Sequence, residues 1–339
     1  MKKRAELAWL RWYETIPTDV RGLVRRFPSR QWHILSLVAR CGSPALDLVV
    51  ANSALAYALA SNWVFHNPPV QRPMRSVRAL LRRGRKQRDI LVWLGFPGTE
   101  AVRRVLTKVA HESISVDGLL YLRQSLVDSK MAKTLSHLQR LNAGAIRIIT
   151  DRKLFPYASP TLIEEISNMS EEDHHAKAAH ELQDSLNMYR IIFPNGKKLQ
   201  PIRRLAHLRE LHDSLIDKLN NSRRSNVDIP LPPPPVEGTE TIVPITSIQD
   251  LFKEGREQHN CVASYVERMA IQQRTYIYKV LGPERCTLAL TQKGNAWVPT
   301  EIKKTCNQPV SEVTWSAVGR WLNQASSSVG NNEVPLFEA

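Results

Sequence analysis

Along the first 225 residues the apolar positions recur with a helical period. Residues 31–40 and 45–60 predict a helical hairpin that turns at Cys41-Gly42-Ser43-Pro44. Ser43 reads as its N-cap, Pro44 as its first helical residue, and Asp47 as the acid of its first turn. Asn67-Pro68-Pro69 closes it. Residues 76–93 predict a second helical stretch whose apolar side is Val77, Leu80, Leu81, Ile90, Leu91 and Leu94, with Gly84 inside it. Gly95, Pro97 and Gly98 end it, and Thr99 opens a helix through Val109. The pattern continues over 117–141 and 161–167. A long helix then starts at the acidic Ser170-Glu171-Glu172-Asp173 and stops before Pro194-Asn195-Gly196, and 202–220 is a further helix.

The period then changes. Ile229-Pro230-Leu231 and the prolines from Pro232 to Pro235 favour an extended polyproline course, so 226–245 reads as a linker or a wrapped arm. Residues 246–325 mix periods. Short helices are expected at 247–254 and 262–270. Strands follow at 274–281, 285–292 and 296–303, with Lys293-Gly294-Asn295 as a hairpin turn. Pro299 weakens the prediction of the third strand. A closing helix at 311–324 offers Val313, Val318, Trp321 and Leu322 to a core, and 326–339 reads as a flexible tail. The expected fold class is α+β. A mostly helical region at 1–225 precedes the Pro-rich linker at 226–245 and a small α+β domain with a short antiparallel sheet at 246–325.

The chain has 339 residues, 42% hydrophobic and 23% charged, which is globular composition and excludes collagen, rod or wholesale disorder. Four cysteines without a CxxC pair exclude a disulfide scaffold and a zinc finger. The most apolar window, 45–65, contains Asp47 and Asn52 and reads as a buried helix, so no membrane span is expected. The basic start at Lys2-Lys3-Arg4 is followed by Glu6, Arg11 and Glu14, not by an apolar signal segment, and a cytoplasmic location is expected.

Charge alters the picture most. The net charge is +15, and residues 1–110 hold 20 Lys and Arg against 6 Asp and Glu, a net of +14. The densest run is Arg72, Arg75, Arg78, Arg82, Arg83, Arg85, Lys86 and Arg88, with Arg103 and Arg104 nearby. Arginine forks fit phosphate oxygens and stack on bases, so nucleic acid is the expected partner. An acidic protein partner and a plain solubility role remain as alternatives. Trp9, Trp12 and Tyr13, interleaved with Lys2, Lys3, Arg4 and Arg11, could stack bases, but their i, i+3, i+4 spacing is that of a core face.

Candidate chemistry gathers late in the chain. His259 and Cys261 lie two apart, with Asn307 as a conceivable orienter in thiol-protease logic. The plainer reading makes His259 a cap of the helix starting near Cys261, with Cys261 and Tyr265 packed in the core. Between them stands a polar pocket of His259, Cys261, Ser264, Tyr265, Tyr276, Thr287, Glu301 and Asn307. The run Glu171, Glu172, Asp173, His174, His175 and His180 gives no three-ligand set at helical spacing, and His207 and His212 are weak candidates. No metal and no cofactor are expected. Phosphate loop, dinucleotide fingerprint and zincin motifs are absent.

One stretch is specific: a glycine, Gly255, before His259-Asn260-Cys261-Val262-Ala263-Ser264-Tyr265, then Arg268, Thr287-Leu288, Asn307-Gln308-Pro309 and Trp321-Leu322. This order resembles the PcfJ-like protein family, clearly over residues 252–322 and more loosely at 46–60 and at 90–108 with its Leu94-Gly95-Phe96-Pro97 step. Members usually read Thr-Leu-Glu where this chain has Thr287-Leu288-Ala289, and Gln-Ile-x-Gly-x-x-Asn where it has Glu301-Ile302-Lys303-Lys304-Thr305-Cys306-Asn307. The resemblance implies a protein of a mobile genetic element, conjugative plasmid or phage-related, with a protein of a mobile-element complex as a further partner, and brings no established reaction with it. The expected function is therefore backbone binding of DNA or RNA through the Arg-rich helix. The alternatives are an enzyme using the His259/Cys261 pocket and an adaptor for an acidic protein.

Overall fold

The computed structural model describes residue 14 and residues 16–65, 74–82, 86–194, 198–221, 229–294 and 296–329. The chain is α+β and divides into two compact units. One is Met1–Leu182 with Leu199–Leu208, and the other is Gln183–Lys198 with Arg209–Ala339.

The first unit is helical: α1 (Thr18–Arg25), α2 (Gln31–Cys41), α3 (Ser43–Ala51), α4 (Ser53–Ala60), α5 (Met74–Arg82), α6 (Gln87–Trp93), α7 (Glu100–Thr107), α8 (Val116–Ser125), α9 (Ser129–His137), α10 (Ala143–Thr150) and α11 (Pro160–Ser167). Helix α12 (Glu172–Ile192) and helix α13 (Leu205–Asn220) contain the points at which the two units divide. Side-chain caps set several starts: Thr99 accepts from Val102 N, Ser115 from Gly118 N, Asn142 from Ala145 N and Ser159 from Leu162 N. The helix expected over 45–60 is two helices. Asn52 leaves helical geometry and accepts from Leu55 N at 3.1 Å, which caps α4 and breaks the run. Ser43 is not the cap of α3; Gly42, at φ 69°, precedes it. Helix α4 is buried on every side, from Ala54 to Ala60, as a core helix should be. Among the described residues, no helix is long and apolar enough to cross a membrane. The stretch expected over 76–93 is α5 and α6, with 83–85 outside the described residues, as are Trp9, Trp12 and Tyr13.

The second unit carries an antiparallel sheet in the order β1 (Ile242–Pro244), β2 (Thr275–Val280), β3 (Cys286–Lys293), β4 (Ala296–Lys303). Strand β1, not anticipated from the pattern, lies inside the Pro-rich stretch and pairs Ile242 with Val280. Ahead of it the arm is fixed to the sheet: Tyr276 and Tyr278 donate their hydroxyls to Pro232 O and Val236 O, and Trp321 Nε1 donates to Glu237 O. Pro299 sits in edge strand β4, where the register slips between Ala289 and Leu290. Helix α14 (Ile248–Gln258), a short turn at Val262–Tyr265, α15 (Val266–Ala270) and α16 (Glu312–Val329) complete the unit. Thr314, Val318 and Trp321 form the buried face of α16, whereas Val313, expected in the core, is exposed because it falls off that stripe. Ser326 to Val329, expected in the tail, are the end of α16.

Strand alternation assigns the two faces of the sheet. Tyr278 and Leu288 pair across β2 and β3, and the Tyr278 ring packs on Trp321 of α16 at 5.1 Å. The alternate residues Ile277, Ala289 and Glu301, paired in one row, line a cleft with Cys261 on the opposite face.

Candidate functional site

The loop that follows α14 positions the site. His259 adopts the left-handed conformation, φ 45° and ψ 53°, and closes α14 by donating its N–H to Arg256 O and Gly255 O. It therefore caps the preceding helix, not one starting near Cys261. Its side chain is exposed and is not among the residues lining the cleft. Asn260 then turns inwards. Its Oδ1 accepts from Val262 N at 3.1 Å, and its Nδ2 donates to Thr287 Oγ1 at 3.2 Å. Thr287 Oγ1 donates to Glu254 Oε1 at 2.6 Å. Glu254 has no exposed side-chain surface and also takes Arg285 Nη1 at 2.9 Å. A buried carboxylate, a threonine and an asparagine thus fix the backbone on both sides of Cys261.

The cleft holds about 30 Å³, space for about one water, and is lined by Asn260, Cys261, Val262, Tyr265, Ile277, Thr287, Ala289, Glu301, Lys303 and Asn307. Tyr265 donates to Glu301 Oε2 at 3.0 Å, and the Arg268 guanidinium lies over its ring at 4.9 Å. Of the residues expected in a pocket, Cys261, Tyr265, Thr287, Glu301 and Asn307 come together. His259 and Ser264 do not line the cleft, and Tyr276 faces the Pro-rich arm. Ala289, where the resemblance leads one to expect glutamate, pairs across the ladder with Glu301. The cleft has a carboxylate, that of Glu301 on β4.

Cys261 is buried, and the desolvation, with the Asp184 and Glu301 carboxylates adding to it, pushes its thiol well above the usual range. That is the reverse of the electropositive setting that activates a nucleophilic cysteine. Burial, then Glu301, likewise pushes the Tyr265 phenol up. The imidazole that does reach Cys261 is His212. Asp184, His212 and Cys261 each offer a ligand atom, and these atoms all lie within 4.8 Å of one another. Cys261 Sγ donates to Asp184 Oδ2 at 3.5 Å, and His212 Nδ1 lies 3.6 Å from Asp213 Oδ1. Among the described residues this is the cluster of His, Cys and carboxylate groups near enough to share an ion. His212, a weak candidate from the sequence, thus stands in the cluster, whereas the three histidines of the acidic run are engaged otherwise. His175 accepts from Gly144 N at 3.3 Å, His174 faces Glu171, and His180 contacts Arg147.

The basic residues occupy the helical unit. Arg72, Arg83 and Arg85 lie outside the described residues, and Arg75 and Arg82 are on α5. Arg78 is half-buried on the same helix; Lys86 and Arg88 are exposed. Arg88, Arg103 and Arg104 converge on one acid, Glu100, at 3.7, 2.5 and 3.3 Å. The hydrogen bond from Arg103, more than any other contact, pulls the Glu100 carboxyl down to about 2.

No curated protein and no solved structure matches the chain. A family model does, starting well upstream of residue 252 and stopping short of Glu301 and Asn307. Residues 174–293 match the family described as PcfJ-like protein, so Asp184, His212 and Cys261 all stand in a PcfJ-like segment.

Proposed function

We propose that this is a nucleic-acid-associated protein of a mobile genetic element, acting in the cytoplasm and holding DNA or RNA by the backbone through Arg72 to Arg88, with Arg103 and Arg104 beside them. The observation that carries the reading is the concentration of charge, +14 in the first 110 residues against +1 in the remainder. Two structural features support it. Helices α5, α6 and α7 bury Val77, Leu80, Ile90, Leu91, Val102 and Val105, which leaves Lys86, Arg88 and Arg104 exposed. Three arginines share the single acid Glu100, so that cluster retains a surplus positive charge and its side chains are held in place before a phosphate arrives. The PcfJ-like segment supports the mobile-element assignment.

The test is fluorescence anisotropy of labelled single- and double-stranded DNA and RNA with the full chain, at low and physiological salt. The comparison is a variant with Arg82, Arg83, Arg85 and Arg88 changed to Ala, its folding verified by circular dichroism. Each lost phosphate contact on duplex DNA flattens the log–log salt slope by about 0.9, so the variant should lose roughly 3 to 4 units of slope. Absence of binding at low salt refutes the reading and points to an acidic protein partner; an unchanged slope in the variant refutes the assignment of the contacts to this run of arginines.

A further inference from the structure

We propose that Asp184, His212 and Cys261 form a binding site for one transition-metal ion of the zinc type, with a coordination position left for water or a substrate oxygen. This inference is independent of nucleic-acid binding.

Each ligand comes from a separate element of the second unit. Asp184 lies one helical turn before the buried Met188 on α12, so it shares that face. His212 stands three, four and seven residues before Leu215, Ile216 and Leu219, the buried stripe of α13. Met188, Leu215, Ile216, Leu219, Phe252, Cys261 and Ala263 form one apolar cluster. The two helices therefore present a carboxylate and an imidazole on the faces that pack around the thiol. Cys261 itself is fixed by the left-handed cap at His259 and the Asn260–Thr287–Glu254 chain.

Geometry and chemistry agree with an ion. Ligand bonds of about 2.0–2.3 Å in a tetrahedron place neighbouring donor atoms roughly 3.3–3.8 Å apart. The Cys261 Sγ to Asp184 Oδ2 distance is 3.5 Å, and all three donors lie within 4.8 Å. Thiolate, imidazole and carboxylate together are the donor types of zinc, whereas magnesium and calcium favour oxygen alone. His212 is 4% exposed and Cys261 8%, in an apolar surround that limits solvent access to the donors. Three protein ligands, not four, are the pattern of sites that keep an exchangeable position. All three residues fall within the segment 174–293, although they are far apart in sequence.

The full chain, reduced and freed of metal with a chelator, is titrated with Co²⁺ as a spectroscopic stand-in. A thiolate-to-cobalt charge-transfer band should saturate at one ion per chain, and Zn²⁺ should displace it. Cys261→Ser should abolish the band, whereas Cys306→Ser, at an exposed cysteine, should leave it intact. Asp184→Asn and His212→Gln should each weaken the metal at least tenfold, the lower bound set by losses of mere supporting contacts. Should Cys261→Ser fail to fold, those two variants decide. No band at saturating cobalt with Cys261 reduced, a band lost with Cys306 instead, or unchanged affinity in folded Asp184→Asn and His212→Gln overturns the proposal.

Discussion

Glu254→Ala should loosen the C-terminal sheet by about a hundredfold in opening equilibrium. The carboxylate is fully buried, and its two oxygens take Arg285 Nη1 at 2.9 Å, Arg285 Nη2 at 2.5 Å and Thr287 Oγ1 at 2.6 Å. Truncating one partner of a buried ion pair costs roughly 3–5 kcal/mol, because the other charge is left uncompensated. Arg285 is 31% exposed and keeps Glu257 at 3.3 Å, so it can partly rehydrate. That places the cost at the low end, about 3 kcal/mol, which is somewhat over two decades at about 1.4 kcal/mol per decade. Hydrogen–deuterium exchange on the full chain reads this locally. Amides of β2 and β3 should exchange about 100-fold faster, and those of α10 in the helical unit should not change. The double variant Glu254→Ala with Arg285→Ala should recover more than half of the loss, since no orphan charge remains. Acceleration below about threefold, or a double variant whose loss is the plain sum, would refute the assignment of this pair as the clamp on β3.

Two further perturbations test the units separately. A Cβ on Gly144 would lie 2.3 Å from the His175 carbonyl oxygen, a backbone atom that cannot step aside, so Gly144→Ala should destabilise the helical unit by about 1–3 kcal/mol in urea melts. A midpoint within error of the parent would show that α10 and α12 can part at no cost. Glu284 accepts from the Ser311 and Thr314 hydroxyls, Ser311 N and Lys304 Nζ, and these bonds, Ser311's first, pull its carboxyl from 4.5 down to about 2. A carboxyl depressed on folding stabilises the fold above its unfolded value and loses that contribution as pH falls from 4.5 towards 2. Glu284→Gln should therefore lower the melting temperature at neutral pH and converge with the parent in acid; a gap that stays constant down to pH 2 would contradict it.

The fold was legible wherever one local signal dominated. Helical period and polar caps placed α7, α11, α12 and α14 within a few residues, because Thr99, Ser159 and Ser247 both start the helix and satisfy its free N–H groups. Strands β2 and β3 were legible from β-branched and aromatic runs, and β4 forms despite Pro299 because it lies at the sheet edge. Where local and tertiary preferences compete, the reading failed. Asn52 sits in an otherwise apolar run, and its break is rewarded by a cap and by bonds from Nδ2 towards Gln87 and Arg103 O, partners invisible from the run itself. Strand β1 hid among prolines, since an edge strand with Pro244 at its end needs few ladder donors.

The site divides in the same way. Cys261, Tyr265, Thr287, Glu301 and Asn307 line one cleft; period-two alternation puts only Thr287 and Glu301 on a common face, whereas Cys261, Tyr265 and Asn307 entered through the order of the motif. His259 is near Cys261 in sequence, but that closeness does not carry its side chain into the cleft. The left-handed cap at that residue turns its ring outwards while it turns Asn260 and Cys261 inwards. Asp184 and His212 could not be found by spacing, since each is brought to Cys261 by helix packing and not by its own neighbours. One signal was nonetheless in the sequence. His212 occupies a core position on the stripe it forms with Leu215, Ile216 and Leu219, and the polar ring nitrogens buried there need hydrogen-bonding or ligand partners. The search for that partner leads across the apolar cluster to the thiol and the carboxylate, which is why a buried polar residue on an apolar stripe is a better guide to this site than any pair adjacent in the chain.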